Sequence, residues 1–281
     1  MHALFTDDVP GESDAAGIDV YKVSQLAKVN NAAEILVKYN QEADHLRWAL
    51  KPVFLQYLLK QLDSVIYLDN DIHFFSSFNF LFEELNNHSM LLTPHWSSFD
   101  PLPHTSDFEL NFKIGLFNAG FVGVNRGAMK ALNWWTEVCL FKMSKDTSEG
   151  YFVDQRYLDL LPIIDENIGI VRHQGCNVGG WNIHQNKRYS VDGKVLINDK
   201  YPVVFVHFNQ STFDQISQGN DPLLKPYLQQ YRNSFQSLGF NFDELFSGRI
   251  ATGQSSIKKL KTSLRLRTRL KQLVFKLYQK L

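Results

Sequence analysis

Apolar and polar positions alternate along this chain in short blocks, with two different periods. His2-Ala3-Leu4-Phe5-Thr6 is a brief apolar run closed by Asp7-Asp8-Val9-Pro10-Gly11, the pattern of a strand ending in a turn. Ile18 to Val23 alternates and predicts a second strand, and residues 31–41 are helix-like. After Ala49-Leu50-Lys51-Pro52, with Pro52 suited to a first helical turn, Val53, Phe54, Tyr57, Leu58 and Leu62 recur at helical spacing. Val65-Ile66-Tyr67-Leu68 is too short for a helix and rich in strand formers, so it predicts a buried strand. The alternation continues with strands at Met90 to Thr93, Phe117 to Asn125, Ile168 to Arg172 and Val203 to His207. Between them lie a helix over 127–142 and a short helix from Asp154 to Leu160, stopped by Pro162. Strand and helix in turn predict the α/β class, with a mixed, mostly parallel sheet flanked by helices.

Composition changes this picture at one end of the chain. Of 281 residues, 44% are hydrophobic and 14% aromatic, enough to bury a sizeable core. The formal net charge is zero, yet residues 247–281 hold ten Lys or Arg and no Asp or Glu, which leaves 1–246 net acidic. Residues 1–246 read as the domain and 247–281 as a basic amphipathic tail. As a helix, 266–281 would align Leu266, Leu270, Leu273, Val274, Leu277 and Leu281 opposite Arg265, Arg269, Lys276 and Lys280. That pattern suits an anionic membrane surface; a stripe packed on the domain is the plainer alternative. The tail brings no nucleic-acid-binding motif, so no nucleic-acid partner is expected. Cys139 and Cys176 stand apart from any paired-cysteine spacing, which disfavours a zinc site or a disulfide framework and fits a reducing compartment. No apolar run reaches the roughly 20 residues that span a bilayer, and the start lacks a secretory layout. The expected location is cytoplasmic, peripheral on the inner face of the membrane.

The candidate chemistry sits in Val65 to Ile72, VIYLDNDI, where a strand runs into Asp69-Asn70-Asp71. Ligands in open α/β sheets bind beyond the carboxyl ends of strands, and residues two apart share a face of an extended chain. Asp69 and Asp71 could therefore reach one hard cation, Mg²⁺ or Mn²⁺, held with substrate phosphates. A strand-end turn rich in Asp and Asn is the bland alternative. His207 closes another apolar run and could supply a third ligand, although a strand-end His also serves purely structural ends.

Five stretches in order, LKPVFLQYLLKQLDSVIYLDNDI, FNAGFVGVNR, YFVDQRYLDLLP, NVGGWN and VHFN, span roughly residues 45–210. Together they resemble bacterial glycosyltransferases of the GT-A fold, a Rossmann-like architecture, and within it the family 8-like group. The resemblance implies a retaining sugar transferase using a nucleotide-sugar donor, with UDP favoured, a divalent metal, and a glycan or lipid-linked acceptor of the cell surface. By position, it makes Asp69, Asp71 and His207 the metal ligands. Asn118 would touch the donor sugar, Lys51 would approach the donor, and Asn70 falls on the same donor side. Asp154 and Gln155 match a pair in the sugar pocket and are the catalytic candidates. Asn177, Trp181 and Asn182 fall on the acceptor side. Read without the resemblance, Lys51 is an exposed helix-start lysine, Asn118 a turn residue, Asp154 a helix N-terminal carboxylate and Trp181 a core residue.

The resemblance breaks in two places. The family often has Gly and Lys three and six residues after the metal His, where this chain has Gln210 and Phe213. It also normally opens with a strand and helix for the nucleotide base, whereas this chain starts at what reads as the second strand. About one βα unit, roughly 30 residues, is thus expected to be missing. Two other functions fit parts of the pattern. Haloacid-dehalogenase-like phosphotransferases also place two Asp after a buried strand, the first as nucleophile, but usually continue with Thr or Val where this chain has His73. A decayed transferase kept as a membrane-attached binding module is the non-enzymatic alternative.

Overall fold

A computed structural model of the chain describes residues 1–6 and 17–250, with no account of the side chains of 247–250. The expected basic amphipathic helix lies outside the described residues. The elements are, in order, β1 (His2–Phe5), β2 (Asp19–Lys22), α1 (Ala32–Lys38), α2 (Ala43–Leu58), β3 (Ser64–Leu68), β4 (Ile72–Phe74) and α3 (Asn79–Glu84). Next come β5 (Met90–Pro94), α4 (Thr105–Lys113), β6 (Phe117–Asn125), α5 (Met129–Phe141), α6 (Leu161–Ile164) and β7 (Ile168–Ile170). The chain continues through β8 (Arg188–Val191), β9 (Lys194–Ile197), β10 (Tyr201–Pro202), β11 (Phe205–His207), α7 (Gln210–Ser217), α8 (Lys225–Ser237) and α9 (Phe242–Ile250).

The α/β class with a mixed sheet between helices is the observed one. The four-stranded sheet runs β3-β6-β5-β7. β5 and β7 are parallel, and β6 is antiparallel to both β3 and β5, so three strands point one way and β6 runs against them. The register explains the reversal. Phe117, the first residue of β6, pairs with Pro94, the last of β5. The chain therefore leaves and re-enters the sheet at the same end, after an excursion through α4. That end is where β3 runs into Asp69 and Asp71. A second pair, β4 with β11, is antiparallel and places His207 opposite Ile72.

One face of the sheet buries a core built with α1, α2 and α5, including Leu50, Val53, Trp135, Val122 and Val124. The α2–α5 contact also holds a buried Gln56, whose Nε2 donates to Thr136 Oγ1 at 2.8 Å and to the Leu132 carbonyl at 3.3 Å. A second cluster joins β11 to α7, α8 and α9 through Phe208, Phe213, Tyr231, Phe242 and Phe246.

Three expectations are corrected. Pro52 lies inside α2, which begins at Ala43, because the apolar period already runs through Leu46, Ala49 and Leu50. Pro162 does not stop a helix: it sits in the first turn of α6, directly after a 3₁₀ stretch from Arg156 to Leu160. β3 is half-buried, not fully buried, since it is an edge strand of its sheet.

Candidate functional site

The site forms where β3 and β11 end together. β3 pairs with β6 to its last residue, and the ladder extends one step further as the Asp69 N–H donates to the Gly120 carbonyl at 2.8 Å. The turn then places Asp71, whose carbonyl accepts from the Phe208 N–H at 2.7 Å. Backbone bonds on both sides thus set the main chain of Asp69 and Asp71 beside that of His207. His207 Nε2 lies 3.0 Å from Asp71 Oδ1. One ligand atom from each of Asp69, Asp71 and His207 falls within 4.8 Å of the others, a spacing that could hold a metal ion. Burial opposes the charged imidazole, but the charge and hydrogen bond of Asp71, with help from Asp69, hold the His207 pKa above its ordinary value.

Gly120 makes room for this cluster. A methyl group built on it would sit 2.7 Å from His207 Cε1, 2.8 Å from Asn118 Oδ1 and 3.1 Å from Asp69 Oδ2. A glycine inside a strand marks such a close approach. Asn118, two residues earlier on the same face of β6, accepts from the Gly120 N–H at 2.7 Å. Its Nδ2 lies 3.3 Å from His207 Nδ1, the ring nitrogen turned away from the carboxylates. The same Nδ2 donates to Asn177 Oδ1 at 3.3 Å.

Lys51 is buried, at 5% exposure, so it is not the exposed helix-start lysine that the sequence alone allowed. The apolar face of α2 carries it under the sheet edge. Its Nζ lies 3.2 Å from Asp154 Oδ2 and 3.4 Å from Asp69 Oδ1, and donates to the Ala119 carbonyl at 3.1 Å. Burial opposes its charge, yet Asp154 and Asp69 together push its pKa above the usual lysine value. Burial raises the Asp154 pKa, and Lys51 counters it. The neighbouring Gln155 spans two backbone segments: Oε1 accepts from the Ala119 N–H at 3.2 Å and Nε2 donates to the Ile114 carbonyl at 3.0 Å.

No family model matches the chain. Two curated proteins of Bacillus subtilis (strain 168) are similar to it. The uncharacterized protein YfnF is 31% identical over 198 residues, covering 67% of this chain and 65% of its own length. The uncharacterized protein YfnD is 31% identical over 195 residues, covering 67% of this chain and 60% of its own length. The chain thus spans less than two thirds of the length of these relatives. Among solved structures, the apo form of mouse xyloside xylosyltransferase 1 aligns with a TM-score of 0.43 at 15% identity, covering 69% of this chain and 76% of that one.

The residues expected on the acceptor side also converge here. Asn177, Trp181 and Asn182 lie on one tight loop beyond β7. Asn177 adopts a left-handed φ of 60° and donates to the Pro94 carbonyl at 3.0 Å. Trp181 is buried, its Nε1 donating to the His95 carbonyl at 2.8 Å, and its ring meets His207 edge-on with centroids 5.5 Å apart. It is therefore both a core residue and a wall of the site. Asn182 holds the loop itself: Nδ2 donates to the carbonyls of His95 at 3.1 Å and Asn177 at 2.9 Å, while Oδ1 accepts from the Gly179 N–H at 3.2 Å. Asn70 is exposed at the turn between the two carboxylates.

Other groups at the site escaped the sequence reading. Tyr67 donates its phenol to Asp69 Oδ1 at 2.7 Å; its only local signal was the spacing of two from Asp69. Burial, then Asp69, push the Tyr67 pKa well above the usual range, so it remains a donor. His95 is buried with Nδ1 3.0 Å from the Gly115 carbonyl. Arg188 donates to the Gly179 carbonyl at 2.7 Å, to the Asn182 carbonyl at 3.3 Å and to Asp221 Oδ2 at 3.0 Å, locking the loop from behind. Nothing near Arg188 in sequence announces that role. The two departures from the family pattern take structural places: Gln210 Nε2 donates to Asp214 Oδ1 at 2.8 Å, and Phe213 is buried among Phe208, Phe242 and Phe246.

Proposed function

We propose that the protein is a metal-dependent glycosyltransferase that moves a sugar from a nucleotide-diphosphate donor, a UDP-sugar in the first instance, to a glycan or lipid-linked acceptor. The observation that carries this reading is the convergence of Asp69, Asp71 and His207 around the clearance left by Gly120, beside the buried Lys51–Asp154 pair. Two carboxylates and one imidazole suit Mn²⁺ or Mg²⁺, and these three residues would hold it. When bound, such an ion neutralises charge on a departing diphosphate.

The chain's own groups would do the rest. Asn118, fixed between Gly120, Asn177 and His207, presents an amide at the start of β6 where a donor sugar would lie. Lys51 and Asp154 supply fixed opposite charges under that pocket, and charge held in place costs no reorganisation as oxocarbenium character develops. Asp154 is the candidate for stabilising that character; Gln155 supports it by pinning Ala119 and Ile114. The loop bearing Asn177, Trp181 and Asn182 would form the acceptor wall, and Asn70 the exposed donor-side lip. Retention of anomeric configuration follows from the family resemblance. Among the described residues no helix is long and apolar enough to cross a membrane. Attachment to the inner membrane face through residues 247–281 belongs to the same proposal, resting on their charge pattern.

Calorimetric titration of UDP and GDP, each with and without Mn²⁺, into wild type and Asp71→Ala tests the reading. Nucleotide binding that requires Mn²⁺ in the wild type and disappears in Asp71→Ala is expected. A folded wild type that binds neither nucleotide with Mn²⁺ present would refute it, and a phosphoaspartate at Asp69 would move the protein to the phosphotransferases.

A further inference from the structure

The two oxygens of Asp69 have different surroundings. Oδ1 accepts from the Tyr67 phenol at 2.7 Å and lies 3.4 Å from Lys51 Nζ. Oδ2 faces the clearance over Gly120, where a methyl group would come within 3.1 Å of it and 2.7 Å of His207 Cε1. Tyr67 is itself held at both ends: its backbone pairs with Val122 in the β3–β6 ladder, and the Lys51 ammonium sits 5.0 Å from its ring centroid. The rotation of an Asp carboxylate about χ2 is broad and roughly two-fold, so an unrestrained Asp69 could turn either oxygen, or both, toward a cation. Its side chain is 32% exposed, so packing alone does not fix it.

We propose that Tyr67 is a positioning residue of the metal centre, whose phenol claims Oδ1 so that Asp69 offers Oδ2 as a single ligand oxygen. The inference rests on the reading of Asp69, Asp71 and His207 as a divalent-cation site. Its consequence is selectivity. Mg²⁺ demands a compact, near-octahedral set of single oxygens, and Mn²⁺ shares that O-ligand preference, whereas Ca²⁺ accepts bidentate carboxylates in looser geometry. Restricting Asp69 to one oxygen favours the smaller ions. Partners that orient a metal ligand in this way are typically worth about 10–100-fold in metal affinity.

The test uses the full chain and Tyr67→Phe, which removes one oxygen and keeps the ring beneath Lys51. Mn²⁺ affinity is read by electron paramagnetic resonance, Ca²⁺ affinity by competition, and the metal-free melting midpoint by calorimetry, with Asp71→Ala alongside. The expected result is Mn²⁺ binding about 10–100-fold weaker in Tyr67→Phe. Ca²⁺ binding should fall less, so the Mn²⁺/Ca²⁺ ratio drops, with the melting midpoint close to wild type. Unchanged Mn²⁺ affinity in Tyr67→Phe, while Asp71→Ala loses it, would overturn the role of Tyr67 and leave the metal site standing. Equal loss of both ions with a lowered melting midpoint would also overturn it, as a merely structural effect. A wild type that takes up no Mn²⁺, or an Asp71→Ala that binds it normally, would overturn the site and this inference together.

Discussion

Gly120→Ala puts the geometry of the cluster to its most direct test. Gly120 lies in extended backbone within β6, with no left-handed φ, so alanine carries no conformational penalty there and its effect is steric. The added methyl would meet His207 Cε1 at 2.7 Å, against an ordinary carbon–carbon contact of about 3.5–4.0 Å, so the imidazole would have to retreat by about 1 Å. Trp181 walls the ring on one side at 5.5 Å between centroids, and Asn118, itself only 2.8 Å from the new methyl, blocks another. Metal–ligand distances tolerate about 0.2 Å. A displacement several times larger should weaken Mn²⁺ binding by about 100-fold, the scale on which ångström misplacement acts at functional sites. Overpacking should cost about 1–3 kcal/mol of stability besides. The control is Gly123→Ala on the same strand but the opposite face, where the methyl meets Leu91 Cβ at 3.3 Å and Leu85 Cδ1 at 3.4 Å. That variant should lose some stability and keep Mn²⁺ affinity. Isothermal titration with Mn²⁺ and urea denaturation measure the two effects separately. If Gly120→Ala bound Mn²⁺ like the wild type, the reasoning that ties Gly120 to the ligand cluster would be wrong.

Two further predictions concern the supports of the site. Burial, reinforced by the charge of His207 and opposed by the Gly115 carbonyl, pushes the His95 pKa down to about 4. The folded state therefore binds this proton less readily than the unfolded state, so His95 contributes stability that is present above its unfolded pKa near 6.5 and is lost as pH falls toward 4. His95→Gln should flatten the acid limb of the melting-midpoint profile between those values, by about 3 kcal/mol at most; an unchanged limb would show that His95 is not the group responsible. Asp221→Ala would leave the buried Arg188 guanidinium without its carboxylate, and urea denaturation should show a loss of about 3–5 kcal/mol; a loss under 1 kcal/mol would mean that the pair does not brace the 177–182 loop.

Much of the frame was legible along the chain because it depends on local periodicity. The runs at Val65 to Leu68, Met90 to Thr93 and Phe117 to Asn125 became β3, β5 and β6. The β8–β9 hairpin went unread although Asp192-Gly193, both at positive φ between Arg188–Val191 and Lys194–Ile197, is a strong hairpin signal. Pro52 misled because a proline is an ambiguous marker: it suits a first helical turn, yet it lies buried in the interior of α2.

For the site, the sequence by itself determined the chemistry on offer: two carboxylates two residues apart at a strand end, a histidine at another, and amides in the stretches between them. Those are properties of residue type and short-range spacing. Only the tertiary structure decided which groups meet. The reversal of β6 brings Asn118 and Gly120 to the end of β3, the β4–β11 pair sets His207 beside Asp71, and α2 carries Lys51 inward to Asp69 and Asp154. These contacts join residues far apart in the chain through sheet register and helix packing. No local pattern encodes them, since register is set by the whole buried face rather than by the residues that happen to face the candidate cation site.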